Sequence, residues 1–171
     1  ALRGDRIIAV GSTAKIKAYR GAATQIIDIQ GQLAIPGFIE SHGHFLDIGE
    51  AKMELDLAPC KNWAEIVALV GEAAQKAKPG EWILGQGWHQ EKWDKTPQPN
   101  VNGLPFHDDL SKVSPNNPVL LSHASGHSCL ANAKAMELGD VTKATPDPSG
   151  GEVVRDARGY PTGAFIETAQ G

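Results

Sequence analysis

The sequence lacks the long apolar runs and the one-signed charge that mark membrane proteins and nucleic-acid binders. No stretch approaches the roughly 18–20 apolar residues that a bilayer span requires, and no segment resembles a secretory signal. The 171 residues include 16 Lys and Arg against 20 Asp and Glu, which gives a formal net charge of −4. The basic residues are scattered along the chain, so we expect neither a nucleic-acid nor a membrane partner.

Cysteine is also scarce, and motifs for nucleophilic catalysis are missing from the sequence. Cys60 and Cys129 lie far apart and match no zinc or redox spacing. We therefore expect reduced thiols and a cytoplasmic protein. No Gly-x-Ser-x-Gly is present, so the sequence does not indicate a serine hydrolase of that kind.

What is present is the composition of a globular protein, with 41% hydrophobic and 21% charged residues. This length allows one well-packed domain, or one domain and a small appendage. The chain opens at Ala1 within an apparent strand and closes at Gly171 just after an apparent helix start. We expect both ends to be cut from a longer protein.

The first 40 residues have the patterns of short strands. Residues 6–10 and the alternating, β-branched segment 24–32 each predict a strand. Residues 32–40 form a third apolar run, which Pro36-Gly37 interrupts with a bend. The opening therefore predicts a small β-unit that leads into another element.

Helices and strands alternate after this opening. Asn62 and Glu65 resemble a capping box, and apolar residues at three- and four-residue spacing predict a helix over 62–78. The remaining patterns predict strands at 81–88 and 117–123, helices at 107–113 and 130–139, a hairpin over 150–163 and a helix start at 164–170. This alternation favours an α/β fold.

His42 and His44 follow the third apolar run directly. In an extended strand, residues i and i+2 project from the same face about 6.5–7 Å apart, so two imidazoles can reach one metal ion. His-x-His alone more often marks two exposed residues at the end of a strand. The preceding Pro-Gly-Phe-Ile-Glu-Ser favours a metal pair, since barrel enzymes place their chemistry at the carboxyl ends of strands.

His123 and His127 have the spacing of a helical His-Glu-x-x-His, but Ala124 and Ser125-Gly126 argue against a helical zinc-protease site. We predict a loop here that presents His127 toward a pocket. A loop histidine bonded to the backbone is an equally good interpretation.

Trp88, His89 and Glu167 are further candidates. Trp88 and His89 fit the lining of a substrate pocket, although Trp88 and Trp93 also fit as packing anchors. Glu167 fits a general acid/base or ligand, or a helix-start carboxylate favoured by the helix dipole.

Several segments together resemble the amidohydrolase superfamily, in the branch related to N-substituted formamide deformylases. The resemblance rests on the following stretches: "RIIAVGS", "IIDIQGQLAIPGFIESHGHF", "PGEWILGQGWHQEKW", "NNPVLLSHASGHSCLAN", "AKAMELG" and "DPSGGEVVRDARGYPTGAFIETA". His89 stands where this branch usually has Asp.

The resemblance implies a partial (β/α)8 barrel with an α/β insertion. Residues 1–35 would be part of a small β-sandwich, and residues 36–171 the first barrel strand and the insertion. His42 and His44 would ligate a divalent metal, usually zinc, in a mono- or binuclear site. Metal-activated water would then attack an amide- or formamide-type carbonyl, with His127 facing a small-molecule substrate.

Family members are several hundred residues long, and their remaining ligands come from later strands. Two protein ligands fall short of the three that a catalytic zinc site usually has, so we expect the isolated chain to be inactive. The alternative is a non-catalytic α/β module that binds a small molecule or forms a homo-oligomer through exposed strand edges.

Overall fold

The chain divides into two units in the computed structural model, which describes residues 1–40 and 43–171. The first unit is Ala1–His42 and the second is Gly43–Gly171. The sequence places this boundary after residue 35. The assignment of the two units to a β-sandwich and a barrel stays a prediction.

Ten strands, five α-helices and three short 3-10 turns make up the regular structure of the described residues. The strands are β1 Leu2–Arg3, β2 Arg6–Ile7, β3 Leu55–Asp56, β4 Ile83–Trp88, β5 Asn100–Val101, β6 Leu104–Pro105, β7 Val119–His123, β8 Ser128–Ala131, β9 Gly151–Arg155 and β10 Pro161–Glu167. The α-helices are α1 Thr13–Ile16, α2 Phe45–Glu50, α3 Trp63–Lys76, α4 Asp108–Val113 and α5 Ala133–Leu138. The 3-10 turns occupy Lys17–Tyr19, Gln90–Lys92 and Thr168–Gln170.

The first unit contains less strand than its sequence predicts. The predicted strand at 6–10 is reduced to β2, which pairs antiparallel with β1. Within the described residues, the predicted strands at 24–32 and 32–40 are wrong, because that part of the chain forms neither strand nor helix. Their apolar side chains are exposed, with Phe38 and Ile39 each 93% accessible. A strand requires a neighbour for its backbone hydrogen bonds, and local β propensity alone does not supply one.

A six-stranded mixed sheet forms the centre of the second unit, in the order β3-β4-β7-β8-β10-β9. Strands β3, β4 and β7 are parallel, and β8 runs antiparallel to both β7 and β10. Helices α3 and α4 occupy the two parallel connections, as such crossovers require. The predicted α/β class is therefore confirmed for this unit.

Helix α3 is explained by local sequence signals. The Asn62 side chain accepts a hydrogen bond from the Glu65 amide at 3.1 Å, and a Glu65 carboxylate oxygen accepts one from the Lys61 amide at 2.8 Å. The helix buries Trp63, Ile66 and Val70. Of the helices in the two described ranges, none is long and apolar enough to cross a bilayer.

The helix predicted at 130–139 begins later in the structure than in the sequence-based prediction. Its first residues belong to β8, and α5 begins only after Asn132. The buried Asn132 side chain accepts hydrogen bonds from the amides of Ala135 and Val119, at 2.9 and 3.0 Å. Because this one oxygen caps α5 and holds the start of β7, the helix cannot extend back through residue 132.

The predicted hairpin is confirmed, but the predicted helix start at 164–170 is wrong. Strands β9 and β10 enclose a turn in which Asp156 Oδ1 accepts hydrogen bonds from the amides of Arg158 and Tyr160. Strand β10 then continues through Glu167, because it lies between two strands. Residues 164–166 pair with β8 on one side, and β10 pairs with β9 on the other. Pairing on both sides outweighs the local helix propensity of this segment.

Strand direction brings four segments to one edge of the sheet. Strands β3, β4, β7 and β10 all run the same way, because β8 lies antiparallel between β7 and β10. Their last residues are Asp56, Trp88, His123 and Glu167. We call this boundary the carboxyl-terminal edge. Open α/β sheets bind ligands at the carboxyl ends of their parallel strands.

Replacing Asn132 with Ala should destabilise the second unit by about 3 kcal/mol or more, because several buried polar groups lose their partners. Urea denaturation measures the change in the free energy of unfolding. The control is Asn62→Ala, which removes an exposed helix cap and should cost about 1 kcal/mol. A loss for Asn132→Ala no larger than that of the control would contradict this prediction.

Candidate active site

An open cleft of about 520 Å³ lies in the second unit. One wall comes from residues 44–54 and carries His44, Asp47, Glu50 and Glu54. The other wall comes from the carboxyl-terminal edge and the loop after β7, and includes Gln86, Ser122, His123 and residues 124–126. Among the described residues that line the cleft none is Lys or Arg, so it favours a cation or a neutral polar ligand.

His44 stands at the start of helix α2 and pairs with an acid on that helix. Its Nδ1 lies 2.9 Å from an Asp47 carboxylate oxygen, and both side chains are exposed. A carboxylate that accepts Nδ1–H sets the tautomer in which Nε2 is the ligating atom, as in many metal sites. His42, the other predicted metal ligand, lies outside the described residues.

Glu54 is a half-buried acid of this wall. Burial raises its pKa, and the neighbouring Glu50 carboxylate raises it further. The Gln86 amide nitrogen lies 3.5 Å from a Glu54 carboxylate oxygen. Two acids that compete for ionisation in this way are stabilised by a nearby cation.

His123 faces the cleft from the end of β7 and is held on both ring nitrogens. The Ser125 amide donates to Nδ1 at 3.1 Å, so Nδ1 is an acceptor. Nε2 therefore carries the proton and donates to the Gln90 side-chain oxygen at 3.0 Å. Burial lowers the pKa of His123, and the neighbouring His89 lowers it further. His123 is thus a neutral imidazole at neutral pH.

The rings of Trp88 and His89 pack against the ring of His123. Trp88 is fully buried, its Nε1 donates to the Leu121 carbonyl at 2.9 Å, and its ring meets His123 edge-on at 4.6 Å between centroids. Trp88 is therefore a packing residue in this structure. The His89 ring lies 4.7 Å from that of His123. The buried Nδ1 of His89 has no hydrogen-bond partner within the described part of the chain.

A bulge near the end of β4 sets this arrangement. The β4–β7 register shifts between Gln86 and Trp88, so that Trp88 pairs with His123. Gly87 sits at the bulge with a φ of 92°, and a Cβ there would lie 3.2 Å from that of Ala58. A glycine is needed at this position because its φ is positive and the space is narrow.

His127 and Glu167, two predicted site residues, are brought together. His127 Nδ1 lies 3.1 Å from each Glu167 carboxylate oxygen, and the Glu167 amide donates to the His127 carbonyl at 2.9 Å. Glu167 ends strand β10, so the expected stabilisation by a helix dipole does not apply. Neither side chain is among those that line the cleft.

Sequence reasoning missed the acids of the cleft and the role of His123. The only signal for His123 was its place at the end of a buried strand, where the polar residue follows an apolar run. Asp47, Glu50 and Glu54 carried no signal, because nothing in their spacing indicates that they face the ends of β4 and β7.

The donor set of the cleft fits a divalent cation in its chemistry, since it combines imidazole nitrogens with carboxylate oxygens. Its geometry is incomplete in the part of the chain that the structure describes. There, no three His, Cys, Asp or Glu side chains lie close enough together to hold a metal ion.

The model of the amidohydrolase family matches residues 25–171. The chain belongs to the amidohydrolase family. It is 36% identical to Protein LONG AFTER FAR-RED 3 of Arabidopsis thaliana over 99% of this chain and 28% of that protein. It is 30% identical to N-substituted formamide deformylase of Arthrobacter pascens over 97% of this chain and 30% of that protein. The resemblance identified in the sequence is thereby confirmed.

Solved structures of metal-dependent hydrolases agree with this membership. An uncharacterized metal-dependent hydrolase from Pyrococcus furiosus matches with a TM-score of 0.50 and 25% identity, over 79% of this chain and 23% of that one. The chain thus spans about 30% or less of each of these relatives.

Replacing His89 with Ala should raise the pKa of His123 toward its usual value of about 6.5. The substitution decreases both the burial of the His123 ring and its electrostatic repulsion by His89. An NMR titration of the His123 ring measures this change. Because folding lowers the pKa of His123, the free energy of unfolding of the chain should fall as the pH drops below about 6.5. In His89→Ala this loss of stability at acid pH should be smaller. His107→Ala is the control, because the His107 ring hydrogen-bonds Ser111 and does not line the cleft. If the pKa of His123 is unchanged or lower in His89→Ala, His89 is not a cause of the lowered pKa.

Proposed function

We propose that this chain contributes the first metal ligands and part of the substrate cleft of a metal-dependent amidohydrolase. The reaction is hydrolysis of a C–N bond in an amide or formamide. The observation that carries this proposal is the position of His44, which lies in a carboxylate-lined cleft at the carboxyl-terminal edge of a family member. The proposed scaffold is a partial (β/α)8 barrel preceded by part of a β-sandwich.

In this proposal His42 and His44 hold the metal. When bound, a divalent metal, for which we propose zinc in a mono- or binuclear site, supplies Lewis acidity that activates water and polarises a carbonyl. Asp47 holds the His44 imidazole in one tautomer. Glu50 and Glu54 give the cleft a negative potential that attracts the cation.

The proposed substrate is a small amide. The name of the Arthrobacter pascens relative, an N-substituted formamide deformylase, supports formamides as the first class to test. The wall that includes Gln86, Ser122 and the neutral His123 carries no net charge, which suits an uncharged amide. His89 and His127 are proposed substrate contacts, and Trp88 keeps the His123 ring in place.

The metal pair can be tested directly in the purified chain. Calorimetric titration with Zn²⁺ should give weak binding, because two histidines fall short of the usual three ligands. His42→Ala and His44→Ala should each weaken this binding at least about tenfold, whereas the control His107→Ala should leave it unchanged. We expect no release of formate from N-substituted formamides by this chain alone. Zinc binding that survives both histidine substitutions would remove the basis of the proposal.

A second candidate function is self-association. It is favoured by the large apolar side chains exposed in residues 26–39 of the first unit, among them Ile27, Leu33, Phe38 and Ile39. Exposed apolar patches of this kind are typical of surfaces that bind another protein. The proposed partner is a second copy of the chain.

Sedimentation analysis tests this candidate. The wild-type chain should show a concentration-dependent dimer, and the double variant Phe38→Ser, Ile39→Ser should be mainly monomeric because apolar contact area is lost. Leu138→Ser removes an exposed apolar side chain from α5 and serves as the control. A monomeric wild-type chain, or a dimer that persists in the double variant, would exclude self-association through this segment.

A further inference from the structure

Strand β9 lies at the end of the six-stranded sheet, so only one of its two sides pairs with a strand in the described part of the chain. Val153 lies opposite Phe165 in its pairing with β10. In an antiparallel pair, the N–H and C=O of one residue both point either toward the neighbouring strand or away from it. Those of Val153 point away, because side chains outside the sheet bond them. Such an edge is a template for a strand from another chain.

Asp147 and Arg155 occupy the place of a neighbouring strand at this edge. Asp147 Oδ1 accepts a hydrogen bond from the Val153 amide at 3.0 Å, and Arg155 Nη1 donates to the Val153 carbonyl at 2.7 Å. The same Nη1 lies 2.6 Å from Asp147 Oδ1. The two side chains thus close around the backbone of one residue, and we call this pair the edge clasp.

The segment 145–150, which we call the strap, carries Asp147 along the outer side of β9. The Gly151 amide donates to the Pro148 carbonyl at 3.1 Å, which fixes the strap at the start of the strand. Pro146 and Pro148 flank Asp147, and neither has a backbone N–H to offer. The strap therefore covers the edge of β9 without forming a new edge that another strand could extend.

The ion pair alone does not explain the edge clasp. The Asp147 side chain is 47% exposed and that of Arg155 24% exposed, and ion pairs with so much exposure contribute little to the free energy of folding. The hydrogen bonds from Arg155 and from the Val153 amide lower the pKa of Asp147, which keeps its carboxylate an acceptor. What this pair does in addition is bond the backbone of an edge strand on both its donor and its acceptor.

We propose that the edge clasp prevents a second copy of this chain from pairing with strand β9. With the clasp open, the N–H and C=O of Val153 are available. Two β9 strands related by a two-fold axis can then exchange both hydrogen bonds between their Val153 residues. A second copy is the partner because this antiparallel pair is isologous and needs only the edge that each copy already has. The proposal is independent of the metal ligands and of residues 26–39.

Sedimentation analysis tests this proposal in the background of the double variant Phe38→Ser, Ile39→Ser, which removes association through the first unit. In this background, Asp147→Ala should lower the dissociation constant of the dimer at least about tenfold, because hydrogen bonds become available between chains. Asp147→Asn should leave the background unchanged, since its side-chain oxygen still accepts from the Val153 amide. If only the charge of Asp147 mattered, the two variants would behave alike.

Hydrogen exchange locates the contact. In Asp147→Ala, the protection of the Val153 amide should rise with protein concentration, whereas in the background chain it should not depend on concentration. Arg155→Met is a second variant that frees the Val153 carbonyl and keeps an apolar stem, and it should also promote the dimer. Glu137→Ala is the matched control, because it removes an exposed ion pair from α5 and should not change the association.

Three results would overturn the proposal. The first is that Asp147→Ala and Arg155→Met, shown to be folded by circular dichroism, associate no more than the background chain. The second is that Asp147→Asn associates as strongly as Asp147→Ala. The third is a dimer of Asp147→Ala in which the Val153 amide gains no protection, because the contact would then lie elsewhere than at β9.

Discussion

The buried Asn132 side chain is the interaction on which the second unit depends. Its oxygen accepts from the amides that open β7 and α5, and its nitrogen donates to the carbonyls of Ser114 and Asn117 and to Ser114 Oγ. One amide thus joins the start of a central strand, the start of one helix and the end of another. Because β7 ends at His123, the position of the cleft wall follows from this network.

The parts of the fold that could be predicted are those decided by near neighbours in sequence. Helix α3 has a local cap at Asn62 and a local stop, and the hairpin of β9 and β10 has a local turn at Asp156. Segments whose state depends on distant partners could not be predicted. Residues 164–166 are a strand because β8 lies beside them, and residues 24–32 are not a strand because no described strand of the first unit pairs with them.

The candidate site follows the same division. His44 could be identified from its motif and the segments around it, as could His127 and Glu167 as separate candidates. The contact between His127 and Glu167 could not be predicted, because it depends on β8 and β10 lying side by side. His123 reaches the cleft only because the β4 bulge at Gly87 brings Trp88 opposite to it, and such a register shift leaves no pattern beyond one glycine.

Charge is distributed across the cleft in a way that suits both a metal and a neutral substrate. The wall of residues 44–54 is acidic, and the raised pKa of Glu54 reflects burial together with a second carboxylate placed close by. The opposite wall is uncharged, because burial keeps His123 in its neutral form. In the proposed function, the first wall attracts the cation and the second wall contacts the amide. The two proposed roles are separate because the acids belong to residues 44–54, whereas the uncharged wall comes from the carboxyl-terminal edge and the loop after β7.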